Sequence, residues 1–291
     1  MSDHHNTSLH EAFAYCEQFA RRGDSDRAMA ALFAPKGKRR DVFALLAFAL
    51  ELAKTRESVS EPMLGEIRLQ WWRETVDEIY TEGPVRRHNV ARALEDVVRR
   101  YNLPREAFDA LIDARAFDLY DAPMANLAAI DAYADATSGA VAELSARILC
   151  DTLVTDEILS IACTAGSAYG LAGLLRALPF QVGRRQAFLP ADLLAEQGVA
   201  VEAVFAGKMA PGVGRVVEAA AIAATNKYQE ARALVRSAPP SIFPALAPAA
   251  LAPAYLKEVR RRDNAFRIAL GGREDLAKRL RFVWATARGR I

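Results

Sequence analysis

The sequence predicts an all-α protein, and three features of the chain support this fold class. Alanine, the residue with the highest intrinsic helix propensity, supplies 58 of the 291 residues. Apolar residues recur at spacings of three and four along most of the chain, which is the period of a helix with one buried face. Runs of Val, Ile or Thr with a period of two do not occur, so no β-sheet is predicted.

Length and composition fit one large globular domain. A hydrophobic fraction of 52% is enough for a sizeable core and far too high for a disordered chain. No flexible linker divides the sequence, and no repeat with a fixed period is present. We therefore expect a single domain over residues 9–291, preceded by a flexible polar tail over residues 1–8.

Capping and breaking residues locate the helices of the first half. Ser8 and Glu11 form a capping box, so the first helix begins there, and it ends at Gly23. Residues 41–54 are almost continuously apolar, which predicts a central helix without a solvated face. The other helices expected in this half cover residues 26–32, 69–79, 90–101 and 105–121.

The second half contains two long uncharged segments. Residues 158–175 are rich in glycine and hydroxyl residues, which favours a buried helix over a membrane span. Five prolines interrupt residues 237–256, so we expect a broken connection there that touches a partner or a membrane. The remaining helices are expected at residues 130–149, 190–198, 213–238, 251–271 and 274–288.

The charge balance argues against a nucleic-acid-binding protein, because 38 basic residues nearly cancel 36 acidic ones and leave a net charge of +2. The three cysteines are too few and too widely spaced for a disulfide framework or a thiolate metal cluster. The start of the chain has no apolar run behind basic residues, so it does not form a secretory signal. We expect a protein of a reducing, cytoplasmic compartment.

Common catalytic motifs are missing from the sequence. It contains no Gly-rich phosphate loop, no His-Glu-x-x-His, no Cys-x-x-Cys and no nucleophile elbow. Three of the four histidines lie within the first ten residues. The fourth, His88, follows a Gly-Pro turn, and a surface position is predicted for it.

Two longer stretches are more informative than these short motifs. They are RESVSEPMLGEIRLQWWRE at residues 56–74 and LLRALPFQVGRRQAFLP at residues 174–190. Together with Asp118-Leu119, residues 133–141 and the proline-rich approach to Tyr255, they resemble the squalene/phytoene synthase family over nearly the whole chain. The resemblance implies the isoprenoid (terpenoid) synthase fold, a helical bundle around a central apolar cavity.

The resemblance also implies where catalytic acids should lie. In the family's active enzymes two Asp-rich helices hold Mg²⁺ ions, which neutralise the departing diphosphate. This chain has Ala53, Lys54 and Glu57 at the first position, and Ala177 and Gln181 at the second. At a separation of about 4 Å and an effective dielectric constant of about 20, a lysine and the metal would repel each other by about 4 kcal/mol per unit charge. We therefore expect no catalytic residue and no cofactor, with Mg²⁺ required only if the chain is an enzyme.

The two stretches look like one branch of the family in particular, the branch that includes the mitochondrial complex I assembly factor and its bacterial relatives. This resemblance implies a non-catalytic binding or assembly protein of respiratory complex biogenesis, with an isoprenoid or a lipid in its cavity. The alternative is an active prenyl transferase that condenses two prenyl diphosphates. A third hypothesis is a simple lipid or isoprenoid carrier.

Four cations are candidates for phosphate binding. A guanidinium group binds phosphate through paired hydrogen bonds, so Arg176, Arg184 and Arg185 would form an anion site; a solvated basic loop is the alternative. Lys54 would contact a phosphate or pair with a glutamate of its own helix.

Two aromatic residues, Tyr133 and Trp72, are candidates for binding an apolar ligand. Adjacent residues of a helix point about 100° apart, so one of Trp71 and Trp72 is expected in the core and the other in a groove or partner contact.

No metal site is expected in the chain, and the alternative is a displaced metal site at two aspartates. Asp131 and Asp135 are four residues apart, which places both carboxylates on one helical face outside the family's metal positions.

The neutral total conceals a basic end of the chain. Residues 257–291 carry a net charge of +7, so the preceding residues carry −5. We expect this patch, with Arg260, Arg261 and Arg262, to attract an anionic membrane surface or an acidic protein at about 1 kcal/mol per cation. A peripheral position on the inner membrane, without a transmembrane span, is therefore expected.

Overall fold

The computed structural model describes residues 2–81, 85–261, 264–266 and 274–291. Within these ranges no strand forms, and an isolated parallel bridge joins Met124 and Pro190. The all-α prediction is therefore confirmed. The α-helices are α1 Ser2–Gly23, α2 Ser25–Ala31, α3 Lys36–Ala53, α4 Pro62–Tyr80, α5 Asn89–Tyr101, α6 Arg105–Ala116, α7 Leu127–Ala134, α8 Ala140–Leu149, α9 Asp156–Arg176, α10 Leu178–Val182, α11 Ala191–Glu196, α12 Val201–Phe205, α13 Val213–Leu234, α14 Phe243–Leu246, α15 Ala252–Arg261 and α16 Glu274–Arg288.

The chain forms two compact units, each assembled from separate stretches of sequence. The single domain expected over residues 9–291 stays a prediction. The first unit comprises Met1–Leu119, Ala140–Ser160 and Pro239–Ala245, and the second comprises Tyr120–Gly139, Ile161–Ala238 and Leu246–Ile291.

Helix α3 is the core helix of the first unit. Every residue from Asp41 to Leu52 is buried, and α1, α5 and α8 pack around the helix. The Phe48 ring meets the Trp72 ring edge-on at 5.2 Å between centroids and the Phe108 ring at 5.6 Å. Such aromatic pairs contribute about 1 kcal/mol beyond the burial of their area. The central position predicted for this helix is confirmed.

The carboxylate of Asp41 is fully buried in this apolar core. The Asp41 carboxylate accepts hydrogen bonds from Arg100 Nη1, at 3.1 Å to each oxygen, and from the Tyr101 hydroxyl at 2.8 Å. Arg40 Nε lies 3.4 Å from the same group. A buried charge is stable only when it is paired and hydrogen-bonded, so this network fixes the end of α5 to the beginning of α3.

In the second unit, α13 packs against α15, and α16 packs against the 3₁₀ turn Ala247–Leu251. Two glycines permit close contact with α9. A Cβ atom on Gly170 would lie 2.7 Å from Ser138 Cβ, and one on Gly139 would lie 2.7 Å from Cys163 Sγ. A larger side chain at either position would push α9 away from residues 138–139.

The helix predicted over residues 130–149 is interrupted by a π-helical turn. Helix α7 ends at Ala134, the π turn covers Asp135–Gly139, and α8 follows. The Thr137 hydroxyl donates a hydrogen bond to the Tyr133 carbonyl at 2.6 Å within this region. A π turn changes the phase of the helix, and such turns are frequent at functional sites.

Several other helix ends differ from the sequence prediction. Helix α1 begins at Ser2, so residues 2–8, expected as a tail, continue the helix. The helix expected over residues 105–121 ends as the 3₁₀ turn Phe117–Leu119. Helix α15 ends at Arg261, and most of the remainder of the helix expected over residues 251–271 lies outside the described residues.

The proline-rich segment differs most from its prediction. The 3₁₀ turns Pro240–Ile242 and Ala247–Leu251 flank the short α14. Ile242, Leu246 and Leu251 have no exposed surface. These three side chains are therefore unavailable to a partner or a membrane, and contact through the rest of the segment stays a prediction. Proline is compatible with the first positions of a helical turn, so the segment winds into short turns that bury their apolar side chains.

Among the residues that the structure describes, one helix, α9, is long and apolar enough to cross a membrane by length and composition. However, 61% of the most apolar 18-residue stretch of this helix is buried within the protein. A buried core helix passes the same test, and the close contact at Gly170 agrees with the buried helix predicted for residues 158–175.

Candidate functional site

The candidate site is a cavity of about 380 Å³ in the second unit, lined mainly by α7, α9 and α13. Polar groups reach it from Asp131, Asn226, Lys227 and Glu230. The cavity therefore combines apolar walls with a charged edge. Its apolar lining consists of Leu127, Ala128, Ile130, Leu171, Leu174, Leu175, Phe188, Ala220 and Ala223.

Lys227 joins the two aspartates at the charged edge. Its Nζ lies 3.0 Å from Asp131 Oδ2 and 3.4 Å from Asp135 Oδ1, and the Ser167 hydroxyl donates a hydrogen bond to Asp135. Burial lowers the pKa of the Lys227 ammonium, but the hydrogen bond to Asp131 and the charge of Asp135 outweigh burial, and the pKa is raised. The lysine therefore remains charged between the two carboxylates.

The elements that carry these groups explain why the sequence indicated only part of the cluster. Asp131 lies on α7 and Asp135 begins the π turn, so their proximity follows from local helical spacing. Lys227 comes from α13 and Ser167 from α9. Contacts between elements so distant in sequence leave no periodic signal in the chain, and sequence analysis missed both residues.

Tyr133 is buried next to the cavity rather than lining it. Its ring packs on that of Phe188, with the centroids 5.0 Å apart, and Phe188 forms part of the cavity wall. Tyr133 therefore supports the wall of an apolar site, while direct contact with a ligand stays a prediction.

The residues at the first predicted acidic position lie at the end of α3. Lys54 caps this helix, and its Nζ lies 5.0 Å from the centre of the Phe19 ring, in a cation–π contact. Ala53 is half-buried, and Glu57 is exposed on the 3₁₀ turn that follows. Glu51, an expected partner of Lys54, instead pairs with Arg68 at 2.6 Å.

The second predicted acidic position lies between α9 and α10. Arg176 ends α9, and its guanidinium group lies 4.3 Å from the centre of the Tyr255 ring and 3.5 Å from a Glu258 carboxylate oxygen. Ala177 is the N-cap of α10. Gln181 is buried, and its side-chain amide donates to a backbone carbonyl of α9 at 2.9 Å. Where the family resemblance predicts acids, the chain thus presents a methyl group and an amide.

The adjacent arginines have different surroundings. Arg185 adopts a left-handed backbone conformation with φ of 53°. Its Nε donates to Asp121 at 3.1 Å, and its guanidinium group packs over the Phe205 ring at 5.0 Å. Arg184 is exposed. Since Arg176 and Arg185 contact different partners, the described contacts favour the solvated basic loop over a shared anion site.

A second cavity, of about 390 Å³, lies in the first unit. Its lining includes Trp71, Trp72 and His88. Trp72 is 1% exposed while Trp71 is half-buried, which confirms that one of the two tryptophans belongs to the core. His88 is half-buried rather than on the open surface, and burial lowers its pKa. Its imidazole is therefore neutral at pH 7.

The basic residues after α13 are only partly available for binding a partner. Arg260 Nε donates to Glu218 Oε1 at 3.1 Å, and its Nη2 donates to the Thr225 hydroxyl at 3.3 Å. Arg261 is exposed, and Arg262 lies outside the described residues.

In the described part of the chain, no group of three or more His, Cys, Asp or Glu residues is arranged to hold a metal ion. Asp131 and Asp135, the alternative metal site, already share the positive charge of Lys227. A cation that bound there would have to displace the ammonium group or overcome its repulsion.

Replacing Lys227 with methionine tests this electrostatic arrangement. Because solvent screens the two half-exposed carboxylates, we expect the free energy of unfolding to fall by only about 1–2 kcal/mol. We also expect Mg²⁺ at millimolar concentration to raise the melting temperature of this variant but not that of the wild type. The matched control is Lys257→Met, at an exposed lysine of α15, which should change neither quantity. A Mg²⁺ response in the wild type would contradict the arrangement.

The helical architecture defines the class of protein. A squalene synthase from Alicyclobacillus acidocaldarius superposes with a TM-score of 0.75 at 19% identity, covering 88% of this chain and 95% of that chain. This likeness identifies the isoprenoid synthase fold and confirms the expected fold class. The chain belongs to the squalene/phytoene synthase family, whose model matches residues 20–282.

Two relatives within the family differ in what their names describe. The NADH dehydrogenase (ubiquinone) complex I assembly factor 6 of Bos taurus is 34% identical over 250 residues, which cover 86% of this chain and 74% of that protein. The presqualene diphosphate synthase of Rhodopseudomonas palustris is 26% identical over 166 residues, which cover 57% of this chain and 58% of that protein. The family therefore includes both an assembly factor and an enzyme among the relatives of this chain.

Proposed function

We propose that this chain is a non-catalytic member of its family that acts as a binding and assembly protein in respiratory complex I biogenesis. One observation carries the proposal. At both positions where the family resemblance predicts Mg²⁺-binding acids, the chain has no carboxylate apart from the exposed Glu57. The resemblance to the bovine assembly factor supports the same conclusion.

The contacts around these positions support the loss of metal chemistry. Mg²⁺ requires hard oxygen ligands in near-octahedral geometry. Gln181 is a neutral amide whose nitrogen donates to the backbone of α9, so it brings no negative charge to a metal ion. The Lys54 ammonium group packs on the Phe19 ring. Lys54 is three residues before Glu57 in the sequence, so this position carries a positive charge as well as an acid. Neither position gathers the carboxylates that would neutralise a departing diphosphate.

The cavity of the second unit supports retained binding of an isoprenoid or a lipid. Its walls are mainly aliphatic, and each methylene group that they bury contributes about 0.8 kcal/mol. Asn226 and Glu230 are exposed at its polar edge, where they would meet the head group of an amphiphile. In this proposal, binding does not depend on a metal ion.

The first unit offers a surface for a protein partner. Met63, Leu64 and Ile67, from the first turns of α4, are exposed, and Leu64 and Ile67 also line the cavity beside Trp71. Exposed large apolar groups on one helix are typical of sites that bind another protein. Glu61 and Glu66 stand among them in the sequence, so a partner segment with apolar and basic residues is favoured.

The direct test is incubation of the purified protein with farnesyl or geranylgeranyl diphosphate and Mg²⁺, with measurement of diphosphate release. We expect no release above that of a buffer blank, because the acids needed for ionisation are missing. A presqualene diphosphate synthase assayed in parallel provides the positive control. Metal-dependent turnover by the wild type would overturn the proposal.

Prenyl transfer is the second candidate function, favoured by the resemblance to the presqualene diphosphate synthase. The variants Asp131→Ala and Asp135→Ala distinguish the two functions. If the chain is an enzyme that uses these displaced acids, either variant abolishes turnover. If it is an assembly protein, the wild type and both variants alike show no turnover, and deletion of its gene lowers the amount of assembled complex I on native gels.

A further inference from the structure

Helix α16 is apolar on two opposite faces. Its inner face packs on the 3₁₀ turn Ala247–Leu251 and buries Phe282 and Ala285. The outer face exposes three large apolar side chains: Leu280 at 62% and, one turn later, Val283 at 55% and Trp284 at 60%.

Positive charge borders the outer face of α16. Residues 277–291 contain five cations and no acid, after Glu274 and Asp275 at the start of the helix. Lys278 lies on the inner side, with Nζ 5.5 Å from the centre of the Tyr255 ring. Arg281 and Arg288 are exposed on the same helix, and the Arg288 guanidinium group lies 3.8 Å from the centre of the Trp284 ring. An exposed tryptophan with aliphatic neighbours and flanking arginines is the composition of a helix that binds at a lipid–water interface.

We propose that α16 docks the protein on the surface of an anionic lipid bilayer. The helix lies in the plane of the interface, with Leu280, Val283 and Trp284 inserted at the boundary between head groups and acyl chains. The arginines contact the anionic head groups. Helix α16 lies within the basic end of the chain, residues 257–291, but does not include Arg260, whose guanidinium group pairs with Glu218. The inference does not depend on the proposed function, since a catalytic protein would dock in the same way.

Charge complementarity favours a bilayer over two other occupants. A second copy of the chain, docked through the same face, would bring two sets of cations together. An acidic protein would match the arginines, but it would need a separate apolar pocket for the three exposed side chains. An anionic bilayer provides negative charge at the surface and an apolar phase directly beneath it.

The test is sedimentation of the full-length protein with vesicles of phosphatidylcholine, alone or mixed with phosphatidylglycerol. We expect binding to the mixed vesicles that weakens with added salt. Each of Arg281→Gln and Arg288→Gln should lower the partition coefficient about fivefold, and Trp284→Ala about tenfold. The matched control is Leu153→Gln, at a leucine that is 83% exposed outside this helix, which should leave binding unchanged.

Quenching of tryptophan fluorescence by brominated lipid gives a second readout. Trp284 is exposed, whereas Trp71 and Trp72 are half-buried and buried, so quenching should disappear in Trp284→Phe. Vesicle binding that is unaffected by the α16 variants would overturn the proposal. So would binding to polyglutamate without binding to vesicles, or self-association that Trp284→Ala abolishes without any vesicle binding.

Discussion

Replacement of Trp72 by alanine is expected to lower the free energy of unfolding by about 4 kcal/mol, the range found when a fully buried large aromatic residue is removed. Trp72 is 1% exposed, and its ring meets those of Phe48 and His88 at 5.2 and 5.5 Å. The loss combines the transfer free energy of the indole with the cavity left next to α3. Chemical denaturation followed by circular dichroism measures it.

The neighbouring tryptophan supplies the control for this prediction. Trp71 is half-buried and packs beneath the Arg86 guanidinium group at 5.1 Å, so Trp71→Ala should cost much less. Trp72→Phe should retain part of the packing and fall between the two. If Trp72→Ala instead had wild-type stability and only lost affinity for an apolar ligand, Trp72 would be a ligand-binding residue as the sequence suggested.

The second large effect is expected at the buried carboxylate of α3. Arg100→Met removes both guanidinium hydrogen bonds to Asp41, which is 0% exposed. We expect a loss of about 3 kcal/mol in the free energy of unfolding, because the charge stays buried with weaker compensation from Tyr101 and Arg40. Thermal or urea denaturation at neutral pH measures this loss.

A neighbouring ion pair on α5, the helix that carries Arg100, is the matched control. Arg99 contacts Glu95 at 2.9 Å, and both side chains are partly exposed. Arg99→Met should therefore change the free energy of unfolding by only about 0.5 kcal/mol. In the double variant Asp41→Leu, Arg100→Met, stability should recover in part, since no unpaired charge remains. Equal losses for Arg99→Met and Arg100→Met would contradict the assignment.

Local periodicity was enough to predict the helical class and most individual helices. The apolar run of α3 predicted a central helix because such a segment has no face suited to water, and the structure confirms it. The proline-rich segment was harder to interpret. Proline excludes a long helix but not a series of short turns, so composition did not reveal that Ile242 and Leu246 are buried.

The candidate site could be predicted only as far as its local parts. The spacing of Asp131 and Asp135 was visible in the sequence, whereas their partner Lys227 lies 96 residues beyond Asp131. The three clustered arginines indicated an anion site, but Arg176 and Arg185 turn toward different aromatic rings. Side-chain partners depend on which helices become neighbours, and spacing along the chain does not determine that.

The cation between Asp131 and Asp135 is the Lys227 ammonium group, which is part of the polypeptide itself. A metal ion must be acquired from the cell, competes with other ions, and is removed by chelators. Lys227 is in place as soon as α7 and α13 have folded, with Nζ 3.0 Å from Asp131. In the proposed function, the charged edge of the cavity is therefore complete without a loading step, and its readiness does not follow the cellular level of free Mg²⁺.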